Sequence, residues 1–206
     1  WESDHSPAAV RLVVSAATYA LCMGWQPLVA TWMVRRWIDR VNLDDILRTT
    51  EPRFYGIATV APLALVGLAM GILVLARGPD IAAAGGTGVN GWDVVVLGVL
   101  SVAVAIVLIW IQALAEEVGW RGYFLPRLMQ QIGPVPGLAL HGVIWGLWYA
   151  PILLMATGRL PVSGVSSVSF VLTCMLLGGL LGWLRLASHS VVPTTLANTV
   201  LTLGAG

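Results

Sequence analysis

The residues best suited to chemistry in this sequence are two adjacent carboxylates, Glu116 and Glu117, followed by Arg121. They end an apolar run, since residues 92–117 contain only one other ionisable side chain, Asp93. Ionisable side chains inside a membrane are costly and generally mark a functional site. The i, i+4 spacing of Glu117 and Arg121 predicts an ion pair on one helix face if the helix continues. Glu116 points about 100° away, so the two carboxylates face two sides.

The composition is that of a membrane protein. The chain is 58% hydrophobic and 10% charged, whereas soluble domains are about 45–50% apolar and about 25% charged. A net charge of +1 gives no support for nucleic-acid binding, and membrane lipids are the expected surroundings. Cys22 and Cys174 lie in apolar runs, which favours small core side chains over a disulfide. We therefore predict an all-α fold, a polytopic transmembrane helix bundle.

Apolar runs long enough to span a bilayer set the predicted helices. We expect one membrane domain over residues 1–206 with about six helices. The stretch 78–91, rich in glycine, is predicted to be a flexible loop. The six predicted helices cover 8–34, 54–77, 92–117, 137–157, 164–186 and 189–204.

The arginines indicate the orientation, because cytoplasmic loops carry an excess of basic residues. We assign the loops 35–53, 118–136 and 187–188 to one side of the membrane. Arginines at helix ends are counted toward the nearer side. The side with these loops holds eight of the eleven arginines and the other side holds three. The chain is thus expected to be an integral protein of a prokaryotic cell membrane, with its N-terminus outside and Glu116 toward the cytoplasm. The three arginines of the other side are Arg11, Arg77 and Arg159.

Three segments in the second half of the chain have the order and spacing of a known motif set. The first is Glu-Glu-Val-Gly-Trp-Arg-Gly-Tyr-Phe-Leu-Pro-Arg-Leu, from Glu116. The second is His-Gly-Val-Ile-Trp-Gly-Leu-Trp-Tyr-Ala-Pro, from His141, and the third runs from Ser190 to Thr202. They resemble the CPBP intramembrane proteases, which include the type II CAAX prenyl endopeptidases and the Abi bacteriocin-processing or immunity proteins. The family-like core covers about 92–204.

The resemblance also shows two departures, because both motif histidines are replaced. Trp145 fills the aromatic position of the second motif, but Tyr149 stands where the family has histidine. Asn198 replaces the second histidine, and Thr202 stands where the family usually has asparagine. The resemblance implies that Glu116 is the base that activates water, with Tyr149 as its partner and Asn198 and Thr202 at the oxyanion positions. The implied catalytic set is Glu116, Glu117, Tyr149, Asn198 and Thr202, and the implied binding set is Arg121, His141, Trp145 and Trp148.

The two replacements differ in their chemical consequences. Asparagine and threonine both donate hydrogen bonds, so Asn198 and Thr202 could still stabilise an oxyanion. A tyrosine, whose ordinary pKa is about 10, is a poor base at neutral pH, where histidine is a good one. His141 lies eight residues before Tyr149, about 12 Å along the helix, and is a poor substitute. Neither an HExxH motif nor a tetrahedral ligand set is present, so we expect no metal and no other cofactor.

Three functions remain open from the sequence. The first is a glutamate-dependent endopeptidase that hydrolyses a peptide bond in a membrane-associated or prenylated protein. The second is a catalytically impaired pseudoprotease that binds and regulates a membrane partner. The third is a different reaction on a lipid or isoprenoid-like ligand in the same cavity, with Trp145 and Trp148 lining a lipid or prenyl groove. Fold-level analogy cannot choose among them, because one scaffold hosts different functions.

Overall fold

The computed structural model describes residues 10–11, 14, 17–77, 92–152 and 164–205. This part of the chain is helical without a β-strand, which confirms the predicted all-α class. A turn of π-helix, Trp120–Phe124, joins the helix that ends at Gly119 to the helix that begins at Leu125 without a break. The helices are α1 (Gln26–Val34), α2 (Pro52–Arg77), α3 (Trp92–Gly119), α4 (Leu125–Ile132), α5 (Pro134–Trp148), α6 (Gly164–Ser188) and α7 (Val192–Ala205).

Four helical stretches in the described residues are long and apolar enough to cross a membrane. The first and last predicted spans are not among them. The first is interrupted at Gly24 and Trp25, where the chain turns between the π-helical segment Tyr19–Met23 and α1, so that α1 has only 9 residues. The last, α7, has 14 residues, about 21 Å, whereas a bilayer core is about 30 Å thick. The four stretches are Pro52–Ile72, Ala103–Ile132, Pro134–Ile152 and Ser169–Ser188.

The prediction of a loop over residues 118–136 was wrong. The chain stays helical through Ile132 and turns only at Gly133, and α5 begins at Pro134. Prolines suggested a break in the sequence, but Pro126 and Pro134 each occupy a first helical turn. At Pro134, which follows the turn at Gly133, the absent N–H removes no intrahelical hydrogen bond. Pro126 directly follows the π-helical turn, in a helix that continues through it. The predicted loop 78–91 and the predicted end of the fourth helix, 153–157, lie outside the described residues.

The distribution of apolar and polar side chains between surface and interior is the reverse of that in a soluble protein. Large apolar side chains on the long helices are exposed, including Leu68, Leu108 and Leu176 at 62%, 60% and 76%. The interior holds Glu117, Arg121 and other polar groups that are almost fully buried. An apolar exterior around a polar centre fits a bilayer, where ionisable groups face the interior of the bundle. The structure therefore supports an integral membrane protein.

The segment between α1 and α2 fixes the corner between α6 and α7. The Val191 N–H donates to the Ile46 carbonyl at 2.9 Å, and the Ser190 hydroxyl donates to the Arg48 carbonyl at 2.6 Å. Ile46 is 2% exposed and packs against Val191. This attachment determines where α7 begins and hence the height at which α7 presents its polar side chains.

The helices around the carboxylates approach closely. The α5 and α6 helices pack along much of their length, and α7 lies against α2 and α3. At Gly142 of α5, an added Cβ would lie 2.6 Å from the Cα of Met175 in α6. The backbone of α6, which cannot move aside as a side chain can, faces Gly142 there. A residue with a Cβ therefore does not fit at this position of α5.

This contact predicts the effect of a single methyl group. Gly142→Ala should destabilise the protein by about 1–3 kcal/mol, because overpacking forces the two backbones apart. Gly179→Ala on α6 is the matched control, since an added Cβ there meets nothing within 4 Å. Thermal unfolding in detergent measures both variants. Equal melting of Gly142→Ala and the parent would contradict the α5–α6 packing.

Candidate active site

The first carboxylate, Glu116, is hydrogen-bonded to Tyr149. Glu116 lies near the end of α3 and is 1% exposed. The Tyr149 hydroxyl, directly after α5, lies 2.8 Å and 3.1 Å from the two carboxylate oxygens. Because that proton points to Glu116, Tyr149 accepts from the hydroxyl of Tyr19, at 3.4 Å. The two residues brought together by motif resemblance are thus in direct contact.

The second carboxylate, Glu117, faces a different set of partners. Its Oε1 accepts from the Arg121 Nη1 at 2.9 Å, and both side chains are 0% exposed. The same oxygen accepts from the Asn198 Nδ2 at 3.0 Å. The predicted Glu117–Arg121 ion pair is confirmed, and the carboxylates face two sides as their spacing indicates.

Arg121 is held in the π-helical turn between α3 and α4. Its guanidinium carbon lies 4.1 Å from the ring centroid of Trp145, within the range of a cation–π contact. Short π-helical turns are frequent at functional sites, where the extra residue redirects side chains. Arg121 thereby joins the second motif on α5 to Glu117 on α3.

A small cavity of about 50 Å³ adjoins Glu116. A single water needs only about 10–15 Å³ of such volume, so the cavity can hold water beside the carboxylate. It is too small for a peptide segment, and a substrate must therefore displace part of its wall. The side chains lining the cavity are Tyr19, Ile109, Gln112, Ala113, Glu116, Tyr149, Asn198 and Thr202.

The structure brings four of the implied catalytic residues to this cavity and leaves Glu117 behind it. The two residues at the oxyanion positions already donate hydrogen bonds. Asn198 donates one amide hydrogen to Glu117, and the Thr202 hydroxyl donates to the Asn198 carbonyl at 2.9 Å. The amide has a second hydrogen, so Asn198 keeps one donor for a developing negative charge.

The implied binding residues separate into two groups. Trp145 contacts both Arg121 and the ring of Tyr149, whose centroid is 5.8 Å away. His141 and Trp148 do not line the Glu116 cavity. His141 is 0% exposed and sits against the ring of Trp120.

Trp148 lines a separate apolar cavity of about 340 Å³. That cavity also includes Pro27, Gly119, Trp120 and Phe124.

Two polar residues of the cavity were not predicted from the sequence, Gln112 and Tyr19. Gln112 precedes Glu116 by one helical turn, and a polar side chain in an apolar run was the signal that could have identified it. Its Nε2 donates to the Tyr19 carbonyl at 3.3 Å. Tyr19 lies far from every motif, and no sequence pattern pointed to it.

A metal site finds no support among the described residues, which contain no group of three or more histidine, cysteine or acidic side chains suited to hold an ion. The two carboxylates instead have protein donors. The chemistry that the arrangement offers is proton transfer to and from Glu116 in a water-sized cavity, with Asn198 as a neutral donor.

The second half of the chain matches a known protein family. A family model described as type II CAAX prenyl endopeptidase Rce1-like matches residues 98–203, just over half of the chain. The matched range contains all three motifs. No curated protein matches the chain.

The buried ion pair predicts a large effect of removing its cation. Arg121→Ala should cost about 3–5 kcal/mol of stability and lower the yield of folded protein, because Glu117 is left as an uncompensated buried charge. Arg53→Ala is the matched control, since the Arg53 side chain is 66% exposed. The yield of monodisperse protein and its melting temperature measure the effect. If Arg121→Ala matches Arg53→Ala in both, the ion pair does not support the fold.

Proposed function

Because the chain belongs to the Rce1-like family of type II CAAX prenyl endopeptidases, we propose that it is an intramembrane endopeptidase of low activity. Its substrate class is a membrane-associated or prenylated protein. The observation that carries the proposal is the placement of Glu116, buried and beside a cavity of water size. This is the arrangement that activation of a water molecule by a carboxylate requires.

In the proposed reaction Glu116 acts as general base. It takes a proton from a water in the cavity, and the oxygen of that water forms a bond to the carbonyl carbon of the scissile peptide. The carbonyl oxygen gains negative charge and is stabilised by the free amide hydrogen of Asn198. The carbon–nitrogen bond then breaks, and the proton held by Glu116 passes to the leaving amine. The products are a carboxylic acid and an amine, and Glu116 is regenerated.

Tyr149 limits this reaction. Its hydroxyl donates to Glu116 and so stabilises the carboxylate in the resting site. A carboxylate oxygen that accepts this hydrogen bond is less available to accept one from a water molecule. Tyrosine also cannot take up the proton of the water at neutral pH, because it is already protonated. Low activity therefore follows from the same contact that holds the site together.

A second candidate function is a non-catalytic relative that binds a membrane peptide. The observation that favours it is that Tyr149 contacts both oxygens of Glu116 while Asn198 donates to Glu117. In such a site both carboxylates accept hydrogen bonds from protein side chains, and neither activates a water molecule. The two candidates differ in one measurable property, turnover that depends on Glu116.

We also propose a location for the site. We place Glu116 at the cytoplasmic side of a prokaryotic cell membrane, and the excess of arginines near its end of α3 supports the cytoplasmic orientation. The chain is proposed to form one membrane domain, and the shared packing of α3, α5, α6 and α7 supports this.

The proposal predicts that Tyr149→His raises peptide turnover more than Asn198→His does. A histidine at 149 supplies a group that exchanges protons with Glu116 near neutral pH, a contribution of about 10²–10⁴ in rate. Asn198→His removes the amide that donates to Glu117. The new imidazole can only take over the hydrogen-bond donation that the amide already provides. Release of a fluorogenic peptide in liposomes measures the parent, both single variants and the double variant.

Glu116→Gln in the parent and in the Tyr149→His background is the control. It keeps the shape of the side chain and removes the base, so turnover should fall to background in both. Turnover that survives Glu116→Gln would contradict the role of Glu116. Absence of turnover in all variants, together with specific binding of the peptide, would favour the non-catalytic candidate.

A further inference from the structure

A second polar cavity, of about 310 Å³, lies apart from the Glu116 cavity and shares no lining residue with it. Among the residues that the structure describes, three arginines line it, Arg35, Arg127 and Arg185, and the single acidic residue there is Asp45. The cavity therefore carries three guanidinium groups against one carboxylate. Nothing in the proposed peptidase reaction uses it.

Two of the three arginines have partners. Arg35 is paired with Asp45 and also donates to the Asn42 carbonyl. Arg127 is paired with Asp39, outside the cavity lining.

Arg185 differs from the other two. It forms no ion pair within the part of the chain that the structure describes, and its Nε is buried without a hydrogen-bond partner there. Arg35 and Arg48, which have the same charge, lie close enough to act on it electrostatically, as does Asp45. A half-buried cation beside two like charges is costly unless an anion accompanies it.

We propose that this cavity binds the phosphate of an anionic phospholipid head group. The guanidinium fork of arginine matches the oxygens of a phosphate, to which it donates two parallel hydrogen bonds. Basic pockets between transmembrane helices are suited to anionic head groups. Arg185 lies in the last turn of α6, at one end of a candidate span, which is the depth at which head groups lie.

The neighbouring cavity supports a lipid rather than a free ion. Tyr123 lines both the basic cavity and the apolar cavity that includes Trp148. The guanidinium carbon of Arg127 lies 4.4 Å from the centroid of the Tyr123 ring. A phosphate on the basic side of Tyr123 thus has an apolar surface beside it for an acyl chain. A free phosphate ion would not contact that apolar surface.

The test compares Arg185→Gln with Arg53→Gln in the purified full chain. Arg53 is exposed and does not line the cavity. Phosphatidylglycerol is added at increasing mole fraction to neutral detergent micelles, and the melting temperature is recorded, since a ligand of the folded state raises it. We expect phosphatidylglycerol to stabilise the parent and Arg53→Gln equally. Arg185→Gln should need about tenfold more lipid for the same shift, because a charge-assisted hydrogen bond to phosphate is lost.

Two further arms distinguish the sources of phosphate. Phosphatidylcholine, whose choline neutralises its phosphate, should give no comparable shift, and inorganic phosphate alone should be weak. Inorganic phosphate as effective as phosphatidylglycerol would overturn the lipid and leave a free anion as the occupant. Equal shifts by both lipids, or an Arg185→Gln response equal to the parent, would overturn the site. If Arg185→Gln does not fold, Arg127→Gln is measured instead, since Arg127 has a 49% exposed side chain.

Discussion

The site depends on one interaction, the ion pair between Glu117 and Arg121 in a region without solvent access. Removing two charges from water costs several kcal/mol for each ion, and their attraction offsets this only when further donors complete the pair. Here Glu117 Oε2 and two guanidinium nitrogens of Arg121 are buried without a hydrogen-bond partner among the described residues. The amide of Asn198 and the ring face of Trp145 nevertheless support the pair. Because these groups come from α7 and α5, the ion pair on α3 and its π-helical turn fixes the relative positions of three helices.

The ion pair of Glu117 also determines the direction of the Glu116 side chain. Adjacent residues on a helix point about 100° apart, so once Glu117 is committed to Arg121, Glu116 must face another direction. It faces the end of α5, where Tyr149 and a water-sized cavity lie. One carboxylate therefore holds the helices and the other lines the cavity, which accounts for two adjacent acids in a membrane protein.

The sequence predicted the parts of this arrangement that depend on spacing. The i, i+4 relation of Glu117 and Arg121 and the apolar lengths of α2 and α6 are local properties of a helix. The π-helical turn and the continuation into α4 were not predicted, because the contact of Arg121 with Trp145 of α5 joins segments distant in the sequence and because a proline inside a helix is typical of a break. Tyr19 was missed for a similar reason, since its place beside Tyr149 is set by the packing of distant segments.

The two substitutions in the motif set have a common physical consequence. At both positions where the resembled family has histidine, this chain has a neutral donor, Tyr149 to Glu116 and Asn198 to Glu117. A donor satisfies a buried carboxylate as well as histidine does, so the helices keep their contacts. Neither a phenol nor an amide changes its protonation near neutral pH, whereas an imidazole does. The exchange thus preserves the hydrogen bonds that assemble the site, and at position 149 it removes the group that would exchange a proton with Glu116. At position 198 a hydrogen-bond donor serves both the fold and an oxyanion, whereas at position 149 the fold requires only a donor and catalysis requires a group that can also take up a proton.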